Sequence, residues 1–137
     1  MNAGEAKTGI VRLLAVYWLP VLMYLWLILW FSSRSWDLVP GLWRYDKLPH
    51  FLEFMGMAVL ASRAMRRTIP LAAWEIVVLT GVFGFLFGTL DEYWQSFVPG
   101  RTADMMDAIT DGAGALAGAV VYAAMKAAMG RRGGAGK

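Results

Sequence analysis

The sequence contains no cysteine, a single histidine and few charged residues. Without cysteine, the protein has no disulfide, no thiolate metal ligand and no cysteine nucleophile. Charged side chains make up 17% of the 137 residues and hydrophobic ones 58%, which is too apolar for an ordinary soluble domain. The composition therefore predicts one compact domain whose surroundings are largely lipid.

The positive charge of the chain is also small. The formal net charge is +3, and Lys and Arg lie at the ends of apolar segments without forming a basic stripe interleaved with aromatics. A nucleic-acid-binding surface needs such a stripe to contact phosphates and bases. We therefore do not expect nucleic acid as a partner.

A long uncharged run predicts the first transmembrane helix. Residues 13–31 are nineteen positions without Asp, Glu, Lys or Arg, close to the roughly 20 residues that a helix needs to cross a bilayer. A secretory signal peptide is the alternative interpretation. The run is longer than a usual signal-peptide core, and no small-x-small cleavage site follows it, so we predict a retained helix.

Three further segments have the composition of membrane helices: 47–63, 71–90 and 102–129. The last of them is predicted to begin at a Thr102 or Ala103 cap and to end near Met129. Residues 32–46 mix Ser, Pro, Gly, Trp and charges, which predicts a loop on the membrane interface. Residues 130–137 are polar and rich in glycine, which predicts a disordered cytoplasmic tail.

The distribution of cations predicts the orientation of these helices. Nine of the thirteen Lys and Arg residues lie on one side of a four-span arrangement: Lys7, Arg12, Arg63, Arg66, Arg67, Lys126, Arg131, Arg132 and Lys137. By the positive-inside rule, that side is cytoplasmic. The predicted fold is all-α: residues 1–129 form one integral membrane four-helix bundle in a bacterial inner (plasma) membrane, with both termini in the cytoplasm.

Glycines recur at helical spacing in two of the segments. Gly81, Gly84 and Gly88 lie three and four positions apart, and Gly114 and Gly118 form a small-xxx-small pair. Such faces let a neighbouring helix backbone approach closely. We expect them to pack the helices within the chain, and they also make an oligomer a candidate arrangement.

Polar side chains gather at the opposite, outward-facing ends of the predicted helices: Lys47, His50, Glu53, Asp91, Glu92, Gln95, Arg101, Asp104, Asp107 and Asp111. A charged side chain within a membrane helix costs about 2.5 to 3.5 kcal/mol on insertion scales. The spacing of three and four places Asp104, Asp107 and Asp111 on one helix face. The pattern therefore predicts a buried polar site or a water-filled cavity.

Four interpretations of this site are open. In the first, the network is purely structural, and in the second, carboxylates and His50 bind a divalent metal such as Mg, Mn, Ca or Zn. In the third, His50 and a carboxylate act as acid and base on a lipid-linked or headgroup substrate. In the fourth, Lys47, His50 and Arg101 bind an anionic headgroup. Candidates for chemistry are His50, Glu53, Asp91, Glu92, Asp107 and Asp111. Candidates for substrate binding are Lys47, Gln95, Arg101 and Asp104.

Particular stretches carry a resemblance to a known family: K-L-P-H-F-L-E-F at 47–54, D-E-Y-W-Q-S-F-V-P-G-R at 91–101, the acids Asp104, Asp107 and Asp111, and F-S-S at 31–33. Together they resemble the VanZ-like family of bacterial membrane proteins over roughly residues 30–122. The chain departs from the commoner family pattern at Trp94, where many relatives have His, so one candidate ligand or base is missing.

The resemblance implies a multi-helix inner-membrane protein, and it supports fold and location more than any reaction. The namesake of the family is associated with low-level resistance to the glycopeptide teicoplanin. We accordingly expect a protein that binds or modifies an envelope lipid or lipid-linked precursor and affects glycopeptide susceptibility. The rival expectation is a non-enzymatic structural or assembly protein whose polar network only holds the bundle together.

Overall fold

A computed structural model of the chain describes residues 3–34 and 47–134. Five helices follow one another along the chain: α1 (Ala3–Tyr17), α2 (Leu19–Ser32), α3 (Lys47–Thr68), α4 (Ala73–Gln95) and α5 (Met105–Gly134). These ranges contain no strand, which confirms the all-α prediction for the described residues. The interface loop is predicted over residues 32–46; its part from residue 35 onward lies outside the described ranges, as do the last three residues of the predicted tail, and Ser32 is the last residue of α2.

Helices α1 and α2 are separated only by Trp18. Pro20 lies in the first turn of α2, where the N–H that proline lacks would have no intrahelical partner. Backbone hydrogen bonds continue past the junction, from Trp18 N to Leu14 O at 2.8 Å and from Leu22 N to Trp18 O at 3.0 Å. The uncharged N-terminal run therefore forms a nearly continuous helical segment.

Three described segments are long and apolar enough to cross a membrane: Thr8–Ser32, Ala73–Gln95 and Met105–Arg131. They correspond to the first, third and fourth predicted spans. Helix α3 is not among them, because it carries cationic, imidazole and acidic side chains: Lys47, His50, Glu53, Arg63, Arg66 and Arg67. The protein is thus an all-helical membrane protein with three candidate spans, and the fourth span and the orientation stay predictions.

Several predicted helix ends differ from the structure. Helix α3 continues to Thr68, beyond the predicted end at Arg63. Helix α5 begins at Met105 because Asp104, not Thr102 or Ala103, caps it: Asp104 Oδ1 accepts the Met106 N–H at 2.8 Å.

The far end of α5 also corrects a prediction. The helix runs to Gly134, so residues 130–134 are helical where the sequence predicted a disordered tail. Lys126 and Arg131 lie in the C-terminal part of this helix, where cations interact favourably with the helix dipole and offset the low helix propensity of glycine.

The glycine faces pack the helices of this chain against one another. A Cβ atom at Gly114 would overlap the Phe51 carbonyl oxygen, and one at Gly118 would overlap that of Met55, so α5 lies directly against the backbone of α3. A Cβ at Gly88 would lie 2.6 Å from Asp111 Oδ2, which brings α4 equally close to α5. The predicted close approach is therefore confirmed within the chain.

The apolar core lies between α2, α3 and α5. It is formed by small and large side chains together: Val21, Ile28, Phe54, Met57, Ala58, Ala61, Ala64 and Ala115. Large apolar side chains elsewhere point outward, including Trp26 at 64% exposed and Leu86 at 60%. An outer surface of this kind suits lipid, in agreement with the composition.

Candidate functional site

A cluster of buried polar side chains lies at one end of the helix bundle, and we call it the polar cluster. Its members come from four helices: Ser32 of α2, His50 of α3, Asp91, Glu92 and Gln95 of α4, and Asp107 and Asp111 of α5. All seven are less than 9% exposed. The structure thus brings together residues that are about sixty positions apart in the chain.

His50 and Asp111 form a buried contact between α3 and α5. His50 Nδ1 lies 3.1 Å from Asp111 Oδ1, and the Asp111 side chain is completely buried. The carboxylate fixes the orientation of the imidazole, as a general base or a metal ligand requires. The other ring nitrogen, Nε2, has no hydrogen-bond partner among the described residues and is available for chemistry.

Lys47 lies at the rim of the polar cluster and joins it to solvent. Its Nζ lies 2.6 Å from Asp107 Oδ1 and 3.2 Å from Asp104 Oδ2. The Lys47 and Asp104 side chains are about half exposed, at 49% and 51%, whereas that of Asp107 is 9% exposed. An ammonium group has three N–H donors, so these two contacts leave one donor for a ligand.

Asp91 is held by two donors inside the cluster. Its Oδ2 accepts hydrogen bonds from Ser32 Oγ and from Gln95 Nε2, both at 2.7 Å. In the sequence, Ser32 belongs to the family-like F-S-S stretch, which does not identify its partner. Its neighbour Ser33 accepts a hydrogen bond from Trp94 Nε1 at 2.8 Å, so Trp94 ties α4 to the end of α2.

Glu92 and Asp104 fix the start of α5. Glu92 Oε2 accepts the Asp104 backbone N–H at 2.7 Å. The backbone N–H of Met106, helped by Lys47, lowers the pKa of Asp104 below its ordinary value. Asp104 is therefore a charged helix cap at neutral pH, and its stabilising effect is lost only as the pH falls through that lowered pKa.

Glu53 and Arg101 are less integrated than the sequence suggested. Both are partly buried. Neither makes an ion pair or a side-chain hydrogen bond with any residue in the described ranges. Glu53 is one helical turn from His50 on α3, and Arg101 lies in the turn between α4 and α5.

Three buried carboxylate oxygens in the described residues have no hydrogen-bond partner: Asp91 Oδ1, Glu92 Oε1 and Asp111 Oδ2. Buried polar atoms are nearly always paired, so each unpaired one needs an explanation. The negative charge of the buried carboxylates also needs compensation. Among the described residues, the four buried carboxylates form ion pairs only with Lys47 and His50, and the charge of Arg101 also acts on Asp91. An uncompensated buried charge costs several kcal/mol.

Fold and site together define an all-helical membrane protein with a buried acidic cluster at one end. A family model described as VanZ/LLP1 matches residues 5–126, most of the chain, and the protein belongs to this family. The resemblance seen in the sequence is thereby confirmed. No curated protein and no solved structure matches the chain.

Proposed function

We propose that the protein binds a phosphate-bearing envelope lipid or lipid-linked precursor at the rim of the polar cluster, on the outer side of the inner membrane. The observation that carries this proposal is the position of Lys47, half exposed and held by Asp104 and Asp107. A phosphate would meet the buried carboxylates unfavourably, so it binds at the rim. There the remaining donor of Lys47 and the guanidinium of Arg101, which has no ion pair among the described residues, are close to the surface.

A catalytic form of the proposal gives His50 the acid–base role. Asp111 holds Nδ1, which leaves Nε2 as the group that exchanges a proton with a bound substrate. Sequestering or altering an envelope precursor would also change the access of glycopeptides to it. This is how the proposal accounts for an effect on teicoplanin susceptibility.

Mass spectrometry of co-purifying lipids tests the binding. A phosphate-bearing lipid is expected to be enriched with the wild-type protein and reduced roughly tenfold or more in the Asp107→Asn, Asp111→Asn double variant, because Asp107 positions Lys47. The cellular measurement is the teicoplanin susceptibility of a susceptible host that expresses either form. Equal lipid content in two equally stable proteins would overturn the proposal.

The matched control for this experiment is Glu75→Gln. Glu75 is also an acid of α4, but it lies about 26 Å from Glu92 along the helix and accepts the Ala72 N–H. This variant is expected to retain the lipid in full, which separates loss of the site from a general loss of acidic charge.

The second candidate function is a structural one, in which the network only joins the helices. The ion pairs of Lys47 with Asp104 and Asp107 favour it. Single Asp111→Asn and His50→Gln variants distinguish the structural function from the binding function. The binding proposal expects thermal stability within about 1 kcal/mol of wild type, whereas a purely structural pair would lose about 3 to 5 kcal/mol. Thermal unfolding in detergent, followed by circular dichroism, measures the difference.

A further inference from the structure

Three donor groups of the polar cluster converge on one point. One ligand atom each from His50, Glu92 and Asp107 lie within 4.8 Å of one another, and all three residues are buried. Donor atoms bound to one cation at about 2.0 to 2.2 Å are roughly 3 to 4 Å apart. A bound ion would therefore draw these three side chains slightly closer together.

Each of the three side chains is already held by one of its two polar atoms. His50 Nδ1 contacts Asp111, Glu92 Oε2 accepts the Asp104 N–H, and Asp107 Oδ1 contacts Lys47. The second atom of each therefore remains for a ligand. In metal sites, a hydrogen bond to the other polar atom of a ligand side chain holds that ligand in position, as a carboxylate does for a ligating imidazole.

An independent observation indicates that something binds there. Glu92 is only 5% exposed, and its Oε1 has no partner in the described part of the chain. The excess of buried carboxylates over cations in the cluster also favours a positive ligand. A divalent cation would satisfy the unpaired Glu92 oxygen and compensate the charge at once.

We propose that His50, Glu92 and Asp107 form a binding site for a divalent first-row cation, Zn²⁺ or Mn²⁺. An imidazole with two carboxylates suits these ions, whereas Ca²⁺ takes six to eight oxygen ligands. Three protein ligands would leave at least one coordination position for water or a substrate. The site goes beyond the proposed lipid binding, because a cation can occupy it whether or not a lipid is present.

Metal retention by the full-length protein tests the site. Protein purified in detergent and stripped with a chelator is equilibrated with Zn²⁺ or Mn²⁺ alone, desalted and analysed by elemental mass spectrometry. We expect about one ion per chain. His50→Gln and Glu92→Gln each remove a ligand and are expected to weaken metal binding by about 100-fold or more. Asp111→Asn removes only the group that orients the imidazole, so it is expected to weaken binding by about 10- to 100-fold, with one ion per chain recovered at high metal concentration.

Glu75→Gln, the acid at the opposite end of α4, is expected to bind as wild type does. Far-UV circular dichroism and size-exclusion elution of every variant separate lost ligands from lost fold. Absence of retained metal in folded wild-type protein, or equal affinity of wild type and folded His50→Gln, overturns the site. This assay reads retained metal and the other reads co-purifying lipid, so failure of the metal site and failure of lipid binding are distinguishable.

Discussion

Replacing Gly114 with alanine is expected to destabilise the helix bundle by about 3 kcal/mol, at the upper end of the usual cost of overpacking. The added methyl would overlap the carbonyl oxygen of Phe51, and the Phe51 carbonyl carbon and Cα would both lie 3.0 Å away. These are backbone atoms, so no rotamer change relieves the overlap. Helices α3 and α5 have to separate, and the His50–Asp111 contact one turn away has to lengthen.

Thermal unfolding in a mild detergent measures this effect. Gly130→Ala in the same helix is the control, because nothing lies within 4 Å of its added Cβ; it is expected to leave stability unchanged or raise it by up to about 1 kcal/mol through helix propensity. A Gly114→Ala protein as stable as wild type would show that α5 does not lie against the α3 backbone at Phe51.

Replacing Lys47 with glutamine is expected to reduce binding of a phosphate-bearing lipid by roughly tenfold or more, since a charge-assisted hydrogen bond to phosphate is lost. The change also removes the cation that contacts Asp104 and Asp107. Titration of nanodisc-embedded protein with phosphatidylglycerol and, separately, with a polyprenyl phosphate measures the effect. The two titrations distinguish a lipid headgroup from a lipid-linked carrier.

Arg67→Gln is the control for loss of one positive charge on α3. Arg67 is exposed and lies in the last turn of this helix, at the end opposite Lys47. Its replacement is expected to leave lipid affinity within about twofold of wild type, the change expected of a rim charge far from the site. Equal affinities for wild type and Lys47→Gln would remove Lys47 from the proposed binding site.

Much of the helical framework was predictable from the sequence. Apolar runs predicted α2, α4 and α5, because a helix in lipid must present apolar side chains along its length. The helix ends were less accurate. Asp104 caps α5 through a local contact with Met106, and the sequence offered Thr102 and Ala103 as equally plausible caps.

The spacing of the acids predicted part of the site correctly. Asp107 and Asp111 are four positions apart on α5 and are both buried, on the face that also carries Gly114 and Gly118. Asp104 extends the same spacing but is exposed, because it precedes the helix as its cap. Helical periodicity applies only within the helix, so it could not place a residue just outside it.

The sequence by itself determined that the chain is helical, apolar and rich in acids near the ends of its segments, because composition and periodicity are local properties. Only the tertiary structure decided the partners: Asp111 for His50, Asp107 for Lys47, and Ser32 for Asp91. Those partners are some sixty positions apart. Their pairing depends on the relative register of α2, α3, α4 and α5, and the glycine faces set how closely the last three of these helices approach.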